Sequence, residues 1–367
     1  MTPQRQDRAR PEVLARAELP GLVPARSGPV VAGALPQSAS KRRSSRRADQ
    51  GCHAPRSAHG IVHNAGSRLT EWARSMRSAT EMIEASMPEL RAWIGRRQVI
   101  DDEIALTTVR RIAAMLDLEP ERFVAGMELP PHWFGLFFHN NAMQHDIGPD
   151  GHPNKGLFLP PIPLPRRMGA GRRVRIAAAL RACEPARRVA EVISITPKVA
   201  RTGSLVVLTM RHTIECNGST VAVEDFDAVY RQAIAPGAIN PLPKPTKPPA
   251  DAAWSKAFQL SSALVFRYSA ITWNAHRIHY DADYARREEG YPQAVQNGGL
   301  TMHLIIDAAL PYLKGRLTGF QARLTRPLWV GDCLIAQGSA ARAGRMSCWG
   351  VDKDGHQCAA VELEYAE

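Results

Sequence analysis

The chain lacks the features of several protein classes. It has no apolar run of 18 or more residues, which excludes a transmembrane helix. Its six cysteines (Cys52, Cys183, Cys216, Cys333, Cys348, Cys358) show no CxxC spacing. That argues against a zinc ribbon, an iron–sulfur site or a disulfide scaffold, and fits reduced thiols in a reducing compartment. Aromatic residues make up 6% of the 367 residues, and none occurs before Trp72. Excess positive charge is small outside the N-terminal segment, a net +5 over 301 residues. Residues 1–66 hold 11 Lys and Arg against 4 Asp and Glu, a net +7 of the total +12. The pI near 9.8 therefore does not mark the body as nucleic-acid-binding.

Residues 1–66 also contain 7 prolines and the run Lys41-Arg42-Arg43-Ser44-Ser45-Arg46-Arg47. Such a segment buries too little apolar surface to offset its ordering entropy, so residues 1–75 are expected to be a disordered basic tail. Several origins fit. One is translation upstream of the true start, since Met76 and Met87 stand just before the first helical pattern. Others are a genuine flexible tail, or a mitochondrial transit peptide whose prolines spoil the amphipathic helix. Nucleic-acid binding by the Arg run would lack aromatic residues for stacking. A cytoplasmic location is expected, or the mitochondrial matrix if the tail is a transit peptide.

A proline-rich stretch from Pro236 to Pro249 reads as an extended, semi-rigid linker. It divides the body into residues 76–235 and 253–367, with the linker at 236–252. Each half ends in strand-rich sequence around a turn dipeptide, Asn217-Gly218 in the first and Asp354-Gly355 in the second. Both dipeptides favour a type I′ hairpin turn. Val361, Leu363 and Tyr365 alternate with Glu362 and Glu364, as in a half-buried antiparallel strand. Each half also has helical material. Leu106, Val109, Ile112, Ala113 and Leu116 follow helical spacing. Leu300–Leu310, opened by Gly298-Gly299, is apolar nearly all round and should be a buried helix. The pattern predicts an α+β protein in which each half wraps a curled antiparallel sheet around a helix.

The densest polar cluster places Asn274, His276 and His279 within six residues. An imidazole with a pKa near neutrality can take or deliver a proton at working pH, and an Asn can hold a water or carbonyl without adding charge. Metal binding is not expected, because the nearby carboxylates, Asp281 and Asp283, form no ligand motif with these histidines. Plain surface histidines are the other reading. Asn297, Gly298 and Gly299 open the apolar helix. Glycine admits close approach of a ligand, and a helix N-terminus offers free N–H groups suited to an oxyanion; an ordinary Gly-rich turn is the alternative. Phe158–Met168 contains four prolines, then Arg166 and Arg167. These arginines fit phosphates or a carboxylate, or the solvated rim of a rigid loop.

Several segments carry a family resemblance: Leu90–Ile100 (LRAWIGRRQVI), Leu129–Phe134 (LPPHWF), Phe158–Met168, Glu224–Arg231 (EDFDAVYR) and Arg326–Asp332 (RPLWVGD). With them, residues 88–366 resemble the double hot-dog MaoC-like hydratases and dehydratases. The resembled branch holds mesaconyl-CoA and itaconyl-CoA hydratases and yeast-type mitochondrial 3-hydroxyacyl thioester dehydratases. The resemblance implies a double hot-dog fold and a hydro-lyase acting on an acyl thioester, with no metal and no redox cofactor. CoA enters as part of the substrate. It places the catalytic histidine at His279, with Asn274 where the broader signature has Asp, and with His276 helping Asn274 to position water. Asn297 stands where relatives often have His. The first half reads Leu116–Glu121 at the corresponding place and has no histidine there, so one active site per chain is expected, with the N-terminal domain non-catalytic and shaping the acyl pocket. Arg166, Arg167, Arg277 and Arg326 are expected to receive a substrate carboxylate. The partner is acyl-CoA, with neither nucleic acid nor membrane; monomer and homodimer both fit. A non-catalytic acyl-CoA-binding protein on the same fold is the rival reading.

Overall fold

The computed structural model describes residues 64–200, 203–235 and 237–367, with side chains from Ser78 onward. Residues 1–63 of the expected tail lie outside the described residues, as does Pro236 of the linker. Residues 64–75, also assigned to the tail, are helical: α1 spans Asn64–Arg91. Its Ile83, Met87 and Leu90 recur at helical spacing and are buried. They pack in one apolar cluster with Val192, Ile195, Val206 and Leu208.

The first half continues with β1 (Arg97–Asp102), α2 (Leu106–Met115), β2 (Arg166–Ile176), β3 (Ala186–Ala200), β4 (Gly203–Cys216) and β5 (Ser219–Arg231). The second contains β6 (Trp254–Gln259), α3 (Ser262–Ile271), α4 (Ala282–Arg287), α5 (Gly298–Ala309), β7 (Arg316–Leu324), β8 (Cys333–Gly338), β9 (Arg345–Val351) and β10 (Gln357–Ala366). The ten strands form one antiparallel sheet in the order β1-β3-β4-β5-β2-β7-β10-β9-β8-β6. The halves join where β2 pairs with β7, from Gly171 opposite Arg323 to Arg175 opposite Gly319.

Asn217 and Gly218 link β4 to β5 with φ of +50° and +75°, the two left-handed positions that a type I′ turn requires. The second hairpin departs from the expected turn. There only Gly355 is left-handed, at φ +80°. The Asp352 carboxylate instead accepts the backbone N–H groups of Asp354 (3.0 Å) and His356 (2.8 Å), which holds a longer loop.

Helix α5 is buried from Leu300 to Ile306 and at Ala308 and Ala309. Its all-round apolar surface suits a helix enclosed by a sheet rather than one lying on it. In the first half α2 buries Val109, Ile112, Ala113 and Met115. Where the LPPHWF segment ends, the chain forms a four-residue 3₁₀ turn, Trp133–Leu136. The space beside that turn opens as a cleft of about 1250 Å³, bounded by both halves. The proline-rich connection is pinned to the second half. Asn240 N–H donates to Gly290 O (2.9 Å), Gln357 N–H donates to Thr246 O (2.9 Å), and Arg326 donates to Pro243 O (2.8 Å). No helix among the described residues is long and apolar enough to cross a membrane.

Candidate active site

Helix α3 ends in a tight turn that presents the polar cluster. Trp273 takes φ +48°, and Asn274 N–H reaches back to Ser269 O at 2.8 Å. The Asn274 side-chain oxygen accepts His276 N–H at 3.1 Å. Asn274 thus spends its carbonyl on the local backbone and keeps its amide N–H₂ for other partners. A 3₁₀ turn, Arg277–His279, follows.

His279 Nδ1 lies 2.8 Å from Val295 O. A carbonyl can only accept, so Nδ1 carries the proton and Nε2 keeps a lone pair. Burial pushes the His279 pKa down to about 4, against the upward pull of the Val295 carbonyl. At neutral pH the ring is therefore an uncharged base. His276 is 7% exposed. Burial first, then the neighbouring His152 and His279 rings, push it down to about 2. The two rings meet edge to face with centroids 5.4 Å apart.

The segment entering α5 is tied to this turn, because Val295 N–H donates to Ile278 O at 2.8 Å. Gly298 and Gly299 line the same cleft as His279. By their place in the first helical turn their N–H groups lack intrahelical acceptors. A Cβ on Gly298 would lie 2.2 Å from Leu324 Cδ1, and one on Gly299 would lie 2.4 Å from Tyr268 Oη. Close packing thus favours glycine at both positions, since a larger residue would have to displace the Leu324 or Tyr268 side chain. Asn297 is 2% exposed, and its amide donates to Ser269 Oγ at 3.2 Å. It ties α5 to α3 rather than pointing a free group at a ligand. Gln296 accepts a hydrogen bond from Thr301 Oγ1 at 2.7 Å. Its Nε2 is buried in the cleft wall with no hydrogen-bond partner among the described residues.

The arginines separate. Arg166 and Arg167 line the cleft. Arg166 pairs with Glu289, and the Arg167 guanidinium stands near the Tyr230 hydroxyl. Arg277 does not line the cleft: it turns to Asp281 (2.6 Å) and to Pro149 O (3.2 Å). The i,i+4 ion pair with Asp281 holds it there. Arg326 borders the cleft but is matched by Asp352 at 3.4 Å.

Two groups in the cleft come from the first half. At the inner end, Glu224 is 3% exposed. Burial alone would raise its pKa, but Arg172 (2.6 Å) and His212 (2.6 Å) hold it well below the usual carboxylate range. Arg188 stands nearby, its Nε buried and without a hydrogen-bond partner among the described residues. Sequence carried one signal for this group. On β4, Leu208, Met210, His212 and Ile214 alternate, and a histidine interrupts an otherwise apolar inward face. At the outer end, Asp150 and His152 meet His276. One ligand atom from each lies within 4.8 Å of the others, so the three groups are chemically able to hold a metal ion. The carboxylate facing the histidines is thus Asp150, not the sequence-local Asp281 or Asp283. Asp352, Asp354 and His356 form a second such set, in which Asp352 Oδ1 already serves the backbone of its own turn.

Residues 132–330 match the family model described as hydroxyacyl-thioester dehydratase type 2. The mesaconyl-C(4)-CoA hydratase of Chloroflexus aurantiacus is 40% identical over 239 residues, 65% of this chain and 84% of that protein. The mitochondrial hydroxyacyl-thioester dehydratase type 2 of Schizosaccharomyces pombe is 35% identical over 83 residues, 22% of this chain and 28% of that one. Among solved structures, a MaoC-like dehydratase from Phytophthora capsici superposes with a TM-score of 0.58 at 16% identity, covering 75% of this chain and 96% of that one. That likeness speaks to the fold alone. The family match, the C. aurantiacus relative and the two sheet-wrapped halves agree: the chain belongs to the hydroxyacyl-thioester dehydratase type 2 family, the MaoC-like hydratases and dehydratases of double hot-dog fold.

Proposed function

We propose that this hydratase or dehydratase works on the acyl group of a CoA thioester, with His279 as its general acid and base. The observation that carries the reading is the neutral Nε2 of His279 in the same cleft as the open N-terminus of α5. In the hydration direction His279 Nε2 takes a proton from water as the water oxygen bonds to Cβ of the enoyl group. The π electrons move toward the thioester, and its oxygen becomes an enolate. The N–H groups of Gly298 and Gly299 stabilise that charge. The protonated His279 then returns the proton to Cα, so one water is added in all. Dehydration runs the same steps backward. Asn274 and His276 position the water.

The acyl group favoured is a C4 or C5 chain ending in a free carboxylate. Arg172 and His212 already serve Glu224, while Arg188 brings a positive charge without a hydrogen-bonded acid at the inner end of the cleft. The identity to a mesaconyl-C(4)-CoA hydratase supports the same class. The reading includes no metal and no redox cofactor; it fits a monomer or a homodimer, and a cytoplasmic or a mitochondrial setting.

The test is a panel of mesaconyl-C4-CoA, itaconyl-CoA, crotonyl-CoA and a long-chain enoyl-CoA, followed by the mass of one water gained or lost. His279→Ala is expected to lower turnover by about 10²–10⁴-fold. Binding of these thioesters without hydration in either direction would replace the enzyme reading with an acyl-CoA-binding one.

A further inference from the structure

The first half looks catalytically empty in sequence, yet it sends one loop into the site. Asp150 Oδ2 lies 3.0 Å from His152 Nδ1, and Asp150 Oδ1 accepts His152 N–H at 3.0 Å. The His152 ring packs against His276, tilted by 37° with centroids 4.0 Å apart, and His276 meets His279 edge-on. The loop is seated by backbone contacts. Arg277 N–H donates to Asp150 O at 2.8 Å. Gly151 sits at φ +88°, where a Cβ would be 1.8 Å from Ala275 O. The Asp–His unit is thus anchored to the turn that carries His276 and His279.

We propose that Asp150 and His152 are positioning residues of the hydratase site, so that its acid–base machinery is assembled from both halves. The carboxylate that the Asn274 position does not supply is supplied by Asp150, 124 positions earlier. A carboxylate bonded to Nδ1 fixes the His152 tautomer with its proton on Nδ1 and orients the ring. It also offsets positive charge that develops on the adjoining imidazoles as a proton moves. The groups facing Asp150 and His152 are His276, Arg167 of β2, Tyr230 of β5, Lys155, Tyr284 of α4 and Glu289. Arg167 and Lys155 are cations, so the carboxylate is well placed to stay ionised. Burial would raise the Asp150 pKa, but its hydrogen bonds to His152 and the nearby His152 and His276 rings outweigh this and bring it to about 2.

This inference rests on the hydratase reading. The experiment uses the full chain and the thioester that the wild type turns over best. Asp150→Asn and His152→Gln are each expected to lower kcat by about 10–10²-fold while KM changes less than threefold. The double variant is expected to lose no more than the worse single one, because the pair acts as a unit. Asp150→Glu should recover part of the loss. The acid limb of kcat/KM should move to lower pH in Asp150→Asn, since removing a negative charge disfavours protonated imidazole. Thermal melting of each variant shows whether the fold is kept; a variant that fails to fold is replaced by Asp150→Ser. Wild-type kcat and an unmoved pH profile in folded Asp150 and His152 variants would overturn the proposal. So would multiplying losses, or activity abolished by a chelator and restored by Zn²⁺. Absence of hydration by the wild type on every thioester would instead defeat the hydratase reading itself, which keeps the two failures distinct.

Discussion

Arg188→Met separates the acyl-group reading from the general one. At the inner end of the cleft, Glu224 is held by Arg172 and His212, each at 2.6 Å. Burial lowers the pKa of His212, although its bond to Glu224 opposes this. The ring thus adds little charge, and Arg172 and Glu224 cancel. Arg188 remains as the surplus positive charge, its Nε without a hydrogen-bond partner among the described residues. A substrate carboxylate reaching it gains a charge-assisted hydrogen bond of about 1.5–3 kcal/mol, or roughly 10–150-fold in kcat/KM. Methionine is close to arginine's length and removes the charge, and the Glu224 pairs stay intact. Arg188→Met should therefore lower kcat/KM for mesaconyl-C4-CoA by about that factor. Crotonyl-CoA, which lacks the second carboxylate, should be turned over as well or better. Melting should be unchanged or raised, because a partly buried, unmatched charge is removed. Initial rates on the two thioesters, followed by the mass of one water, read the ratio directly. An equal loss on both, or none on either, would refute Arg188 as the carboxylate partner.

Other outcomes follow from the same geometry. Gly299→Ala forces a Cβ to within 2.4 Å of Tyr268 Oη; thermal melting should show a loss of about 1–3 kcal/mol from overpacking, and adding Tyr268→Phe should recover part of it. With His279 near 4, kcat/KM should stay flat from pH 8 downward and fall only as pH approaches 4; a break near 6.5 would refute the buried neutral base. Burial lowers His276 to about 2 and His279 to about 4 from an unfolded value near 6.5. The unfolded chain then binds more protons below 6.5, so stability is fully present above that pH and falls toward pH 4. The slope should be up to about 1.4 kcal/mol per pH unit for each group. Denaturant titrations at pH 7, 6 and 5 measure it.

What the sequence determined by itself is local. Asn217-Gly218 selects its turn because few residues tolerate two successive left-handed conformations. The alternation of Val361, Leu363 and Tyr365 with glutamates sets which face of β10 is buried. The apolar girth of Leu300–Leu310 makes α5 the enclosed helix, and six residues are enough to bring Asn274, His276 and His279 together. Each depends on neighbours within a turn or a strand, where spacing in sequence is distance in space. Tertiary structure decided what depends on distant partners. The tail's composition, averaged over 66 residues, gave no sign that α1 begins at Asn64, and the burial of its Ile83, Met87 and Leu90 depends on β3 and β4 lying opposite them. Arg277 and Arg326 look like free anion receptors until Asp281 and Asp352 are seen to take them. Asp150 and His152 meet His276 because a loop of one half folds over the other, and Arg188 reaches the cleft from β3. Whether a charge is spent or available depends on which groups the sheet sets beside it, and the pairing of strands far apart in the chain decides that.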